Sequence, residues 1–216
     1  MINFQKCEKI FIDFDGVIVD SNQFKELAIE RSIFSIIGEN KKSINAINFF
    51  NKNAGVSRKK KLSEYFEDDE VLDIIKLYSE ECQKFFLKAL PTLGLKTFLK
   101  FLKENNKIIK IYILSGGEKK EIISFLKKNS LQEYFEDVLS SDKSKIEHLK
   151  EKQVTKNDIF IGDSQTDLNA SVETGIGFIL IAQFKSLKSF PSEKIINDNY
   201  FLKTENFVSL MEQISL

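Results

Sequence analysis

Apolar and polar positions alternate between two rhythms along this chain. Short apolar runs at Ile10-Phe11-Ile12, Ile108 to Leu114 and Ile159-Phe160-Ile161 read as buried strands of a parallel sheet. Gly177 to Ala182 reads as a further strand, Val138-Leu139-Ser140 as a short one and Tyr200 to Leu202 as a weak last one. Between them the period is helical: Leu95 to Glu104, Glu118 to Lys128, Ser144 to Glu151, Asp167 to Thr174 and Glu205 to Ile214. Residues 22–88 contain no strand pattern. Phe24, Leu27, Ala28, Ile33, Phe34 and Ile37 recur at helical spacing up to Gly38, a natural stop. A second helix runs through Ile44, Ile47, Phe49 and Phe50 and closes near Asn53-Ala54-Gly55. Ser57 reads as the N-cap of a third, and a fourth covers 69–88. Pro91 and Gly94 mark the return to alternating strands and helices. The pattern predicts an α/β protein, a doubly wound parallel sheet interrupted after its first strand by an all-helical block.

The polar residues gather at the strand ends. Asp13 and Asp15 follow the first strand with Gly16 behind them, Ser115-Gly116-Gly117 follow the second, and Asp163 and Asp167 follow the fourth. Residues i and i+2 of an extended chain face the same side, so Asp13 and Asp15 share one space. Carboxyl ends of neighbouring parallel strands converge on one crevice. Carboxylates crowded together repel one another, and such a group usually holds a cation. Hard oxygen ligands suit Mg²⁺ better than Zn²⁺. Ser115 with the amides of Gly116 and Gly117, at a helix start, suits a phosphate oxygen, and a lysine near the next helix completes the charge balance. These parts describe phosphoryl transfer.

Composition narrows the partners. Lys+Arg and Asp+Glu are equal at 32 each, so no basic field draws in nucleic acid. A hydrophobic fraction of 42% is enough to build a core across 216 residues. No apolar run is long enough for a membrane span, and Asp13 and Asp15 interrupt the first apolar stretch, unlike a signal peptide. Cys7 and Cys82 lie far apart, with no further Cys or His at ligand spacing, as expected of thiols in a reducing cytoplasm. A monomer in the cytoplasm, acting on a small molecule without nucleic acid or membrane, is expected.

Asp13-Phe14-Asp15-Gly16-Val17, Ser115, a lysine after the third strand, and Gly162-Asp163-Ser164-Gln165-Thr166-Asp167 resemble, in order, the four motifs of the haloacid dehalogenase superfamily. The resemblance spans the whole chain. It is to the members with a helical cap inserted after the first motif, which include phosphoglycolate phosphatase-like and β-phosphoglucomutase-like enzymes. It implies a Rossmann-like core over 1–17 and 89–216 and a cap over 18–88. It also implies Asp13 as nucleophile, Asp15 as general acid and then base, and Ser115 as a hydrogen-bond donor to the phosphoryl group. Mg²⁺ would be held by Asp13, the backbone carbonyl of Asp15, Asp163, and Asp167 directly or through water. Dehalogenases of this pattern lack the second aspartate, so Asp15 implies a phosphatase acting on a small polar phosphomonoester: a glycolate, polyol, amino-alcohol or sugar phosphate. The alternatives are a phosphosugar mutase, which shares these motifs, and a non-catalytic scaffold, which would have no need of the carboxylates.

Lys143 and Lys145 both precede a helix, and neither is followed by proline. Lys145-Ile146-Glu147-His148-Leu149 resembles the run seen in related phosphatases, which favours Lys145. His148 is read as a surface or packing residue. Gly55-Val56-Ser57-Arg58-Lys59-Lys60-Lys61 resembles a cap stretch of some bacterial members and leans the substrate toward a surface-polysaccharide precursor. Arg58 and Lys61, three apart on one helical face, would both reach the substrate's charged or hydroxylated end. Asp20, at the hinge into the cap, either contacts substrate or caps a helix.

Overall fold

Alternation along each central strand sends side chains to two separate cores. Ile10, Ile12, Ile111, Ile113, Ile159, Ile161, Ile179 and Ile181 are buried on one face of a sheet. Phe11, Tyr112, Leu114, Phe160, Phe178 and Leu180 are buried on the other. The computed structural model describes residues 4–53, 56–106, 108–184 and 201–214. Its sheet has six strands: β1 (Lys9–Ile12), β2 (Lys110–Leu114), β3 (Asp137–Leu139), β4 (Ile159–Gly162), β5 (Gly177–Ile181) and β6 (Phe201–Thr204). Their spatial order is β3-β2-β1-β4-β5-β6, with every pairing parallel. The fold is a Rossmann-like, doubly wound α/β sheet with both faces covered.

The Ile face packs on α5 (Leu95–Asn105), α6 (Lys119–Lys128) and α9 (Phe207–Gln213) through Phe98, Phe125 and Phe207. The aromatic face meets Leu149 of α7 (Lys145–Glu151) and Leu168 of α8 (Gln165–Thr174). Connections leave β1 and β4 toward opposite faces, so the crevice of the sheet opens between their carboxyl ends.

Of the five described helices between β1 and β2, four precede α5 and form the inserted block: α1 (Asn22–Ile37), α2 (Lys41–Lys52), α3 (Arg58–Ser63) and α4 (Asp68–Phe86). Gly38, with φ of 85°, ends α1 as its position in the pattern indicates. Helices α1 and α4 pack together through stacked Phe24 and Phe85 rings, 4.2 Å between centroids. The segments leading into and out of the helices are tied to each other: Thr92 N donates to Ile18 O at 2.9 Å, and Thr92 Oγ1 to Val17 O at 2.6 Å.

Differences from the sequence pattern have local causes. Helix α8 begins at Gln165, not Asp167, because Ser164 and Asp167 form a capping box across its first turn. Strand β2 starts at Lys110, because Ile108 belongs to the preceding turn and is 78% exposed. Strand β6 runs on through Lys203 and Thr204, whose pairing with β5 is a backbone matter that polarity does not signal. Tyr200, expected to open that strand, and Ala54-Gly55, expected to close α2, lie outside the described residues. Cys7 and Cys82 are buried free thiols, pushed up to about 12 and about 11 chiefly by burial. Among the described residues no helix is long and apolar enough to cross a membrane.

Candidate active site

Register delivers the carboxylates to one place. Ile12 lies between Ile113 and Ile161, and Asp13 N continues the ladder by donating to Ile161 O at 2.8 Å. Asp13 therefore leaves β1 beside the end of β4, where Asp163 follows Gly162. Oxygens of Asp13, Asp163 and Asp167 lie within 4.8 Å of one another, and all three residues are buried. Gly16 shapes the exit from β1. Its φ is 76°, and a Cβ there would fall 2.1 Å from Asp163 Oδ2, so only glycine leaves that carboxylate its space.

Lys145, the first residue of α7, reaches into this cluster. Its Nζ is 2.9 Å from Asp13 Oδ1 and 2.5 Å from Asp167 Oδ1. Burial opposes the charge of Lys145, but Asp13 and Asp167 outweigh it and raise the ammonium above its ordinary value. Asp13 is pushed well up by its own burial and by the Asp167 charge, against the pull of Lys145. Three carboxylates served by one ammonium thus retain a surplus of negative charge, and the donors are all hard oxygens. The set fits a small divalent cation. Asp167 is the most committed member: Oδ2 accepts from Asp163 N, Ser164 N and Ser164 Oγ, while Oδ1 accepts from Lys145.

Asp15 lies beside the cluster, held by different groups. Its Oδ1 accepts from Ser21 Oγ and its Oδ2 from Lys25 Nζ, both at 2.5 Å. Burial would raise this carboxyl, but the Lys25 ammonium and the Ser21 hydroxyl hold it below its ordinary value. Ser115 is buried at the end of β2, and its Oγ accepts from Gly117 N at 3.0 Å. The Gly117 amide, expected to point at a ligand, is thereby engaged within its own loop. Gly116 N has no partner among the described residues.

A cavity of about 210 Å³ opens above these groups, with the inserted helices as its far wall. Asn22, Lys25, Phe50, Asn51, Lys61 and Tyr78 line that wall. Two polar ties cross toward the sheet near the cluster: Lys25 to Asp15, and Asn22 Nδ2 to Asp163 Oδ2 at 3.0 Å. A third is the Arg58 guanidinium, bound to Glu121 of α6 through two bonds of 2.8 and 2.7 Å. Arg58 also donates to Ser79 Oγ at 2.8 Å and lies 4.5 Å from the Tyr78 ring centroid. Arg58 and Lys61 do share a helix face and both line the cavity, but Arg58 is already spent on Glu121.

The remaining candidates stand apart from the cavity. Lys143 is an exposed partner of Glu151, outside the carboxylate cluster. Asp20 is exposed, and the N-cap position of α1 belongs to Ser21. His148 is buried on α7 with its Nε2 2.9 Å from Ser140 O, a packing role. Asn22, Lys25 and Glu121 were not singled out by the sequence. Each is a polar residue on a helix, a position that reads as solvent-facing until the helix is docked.

The fold and the cluster define a class of doubly wound α/β proteins in which acids following the first and fourth strands flank the switch point of a parallel sheet. The chain belongs to the haloacid dehalogenase-like hydrolase family, whose pattern it matches over residues 10–181. Similar solved structures include a predicted phosphoglycolate phosphatase from Haemophilus somnus 129PT, with TM-score 0.72, 14% identity, and coverage of 98% of this chain and 99% of that one. CbbY from Rhodobacter sphaeroides, in complex with phosphate, has TM-score 0.73 and 13% identity over 94% of this chain and 96% of its own. A haloacid dehalogenase-like hydrolase, SP0104 from Streptococcus pneumoniae, has TM-score 0.68 and 16% identity over 97% and 99%. At these identities the likeness is one of fold. No curated protein matches the sequence.

Proposed function

We propose that the protein is a Mg²⁺-dependent phosphatase that hydrolyses a small polar phosphomonoester through an aspartyl phosphate on Asp13. The observation that carries this reading is the meeting of Asp13, Asp163 and Asp167 within 4.8 Å, beside Lys145 and a cavity of metabolite size. The predicted phosphoglycolate phosphatase and the phosphate-bound neighbour support it by analogy.

Asp13 attacks phosphorus in line, and the bond from phosphorus to the ester oxygen breaks. Asp15 gives its proton to the departing alkoxide. In the second half Asp15 takes a proton from water, which attacks the aspartyl phosphate and frees Asp13 and inorganic phosphate. The Lys25 contact keeps Asp15 in the ionised form, which suits the second half; the first half requires Lys25 to withdraw. Ser115 Oγ and the unpartnered Gly116 N donate to phosphoryl oxygens, and Lys145 fixes the orientation of Asp13. Asp13, the backbone carbonyl of Asp15, Asp163, and Asp167 directly or through water, would hold Mg²⁺. The cation supplies the positive charge that lets an anionic phosphate approach anionic Asp13. The helical block over 18–88 acts as a cap that encloses the substrate, and we place the enzyme in the cytoplasm as a monomer.

Asp13→Asn tests the covalent step. Phosphate release should fall by ~10³-fold or more with the circular dichroism spectrum unchanged, and EDTA should silence the wild type until Mg²⁺ is restored. Wild-type turnover in Asp13→Asn, or full activity in EDTA, would refute the reading.

A further inference from the structure

Among the described residues the cavity holds four cationic side chains, and three of them have counter-charges. Lys145 bridges Asp13 and Asp167, Lys25 is on Asp15, and Arg58 is on Glu121. Lys61 is different. Its Nζ donates to the Phe50 carbonyl at 3.2 Å and lies 3.5 Å from the centroid of the Phe50 ring. No carboxylate of the described residues lies within ion-pair distance, and the residue is only 7% exposed.

The groups around Lys61 make its charge harder to hold. Lys25 on α1 and Arg58 on its own helix repel an ammonium there, and the more distant Asp15 only partly offsets them. Glu26 and Tyr78 on the cavity wall form no ion pair or hydrogen bond with it, and α2 offers only uncharged Phe50 and Asn51. Burial first, then Lys25 and Arg58, push Lys61 down to about 7. A buried lysine without a counter-ion costs stability that a methionine of similar shape would spare.

We propose that Lys61 is the specificity residue of the cavity and that the substrate is a phosphomonoester with a second anionic group, carboxylate or phosphate, at the end remote from phosphorus. The assignment rests on the phosphatase reading of the same cavity and narrows its substrate class. A second anion supplies the counter-charge that the fold withholds, and Lys61 becomes fully protonated on binding. A neutral polyol tail leaves Lys61 as it was and gains nothing from it. Arg58 has no such capacity, because Glu121 already neutralises it.

Calorimetric titration of the Mg²⁺-loaded full chain with phosphonates, which cannot be hydrolysed, tests this directly. The probes are propylphosphonate, 3-phosphonopropionate and propane-1,3-bisphosphonate, each at pH 8 in two buffers of different protonation enthalpy. At least one anion-tailed ligand should bind about tenfold or more tighter than propylphosphonate. It should also take up most of one additional proton; which of the two does so identifies the anion. Lys61→Met should lose both the preference and the uptake, whereas Lys61→Arg should keep the preference without the uptake. Equal affinity for all three ligands, no binding by either anion-tailed ligand, or a preference that survives in Lys61→Met would overturn the assignment. Steady-state hydrolysis of the matching esters separates the two readings. Tail preference in binding with no ester hydrolysed sinks the phosphatase reading alone, and hydrolysis without tail preference sinks Lys61 alone.

Discussion

Replacing Glu121 with glutamine would leave the Arg58 guanidinium buried without its counter-charge. The two side chains are 6% and 8% exposed, so salt screens them little. Both carboxylate oxygens accept from the guanidinium, at 2.8 and 2.7 Å. Burial would lower the Arg58 pKa, and the Glu121 pairing raises it instead. Breaking a buried pair from one side costs roughly 3–5 kcal/mol. Glutamine retains one oxygen for the guanidinium, and Ser79 and Tyr78 remain, so Glu121→Gln should cost about 3 kcal/mol, the lower end of that range. Removing both charges with Arg58→Met and Glu121→Leu should come within about 1 kcal/mol of wild type, because no orphaned charge is left. Urea unfolding of Arg58→Met, of Glu121→Leu and of the double variant gives the coupling. A change below about 0.5 kcal/mol in Glu121→Gln, or a double variant as unstable as the two singles added, would refute the structural role of the pair.

Two other variants probe the site from different directions. Gly16→Ala puts a Cβ 2.1 Å from Asp163 Oδ2 at a φ of 76°, so it should cost at least about 1 kcal/mol and abolish the rise in melting temperature on adding Mg²⁺. An unchanged Mg²⁺ response would show that Asp163 does not depend on this turn. The native Lys61 pKa of about 7 lies below its ordinary 10.5, so between these values the unfolded chain holds more protons and stability rises with pH. Below pH 7 the full cost is present; Lys61→Met should therefore stabilise the protein most near pH 6, by at most roughly 3–5 kcal/mol, and little near pH 10. Denaturant midpoints measured across that range check it, and a pH-independent difference would rule out the buried ammonium.

Much of this protein is decided locally. The Ile-Phe-Ile runs at 10–12 and 159–161 are too apolar for anything but buried strands, and their alternation already separates the two cores. Asp13 and Asp163 follow those strands directly, and neighbouring parallel strands end side by side, so their meeting at one crevice was legible in advance. Resemblance favours Lys145 over Lys143, and the docking of α7 takes Lys145 to Asp13 while leaving Lys143 on the surface. Tertiary structure alone decided the far wall of the cavity. Lys25 and Asn22 look like solvated positions on α1 and become partners of Asp15 and Asp163 only once that helix lies over the sheet. Arg58 and Lys61 are equivalent one turn apart in the sequence. Glu121, on a helix that begins after β2, neutralises one and leaves the other without a counter-ion among the described residues, because an ion pair depends on distance in space and not along the chain.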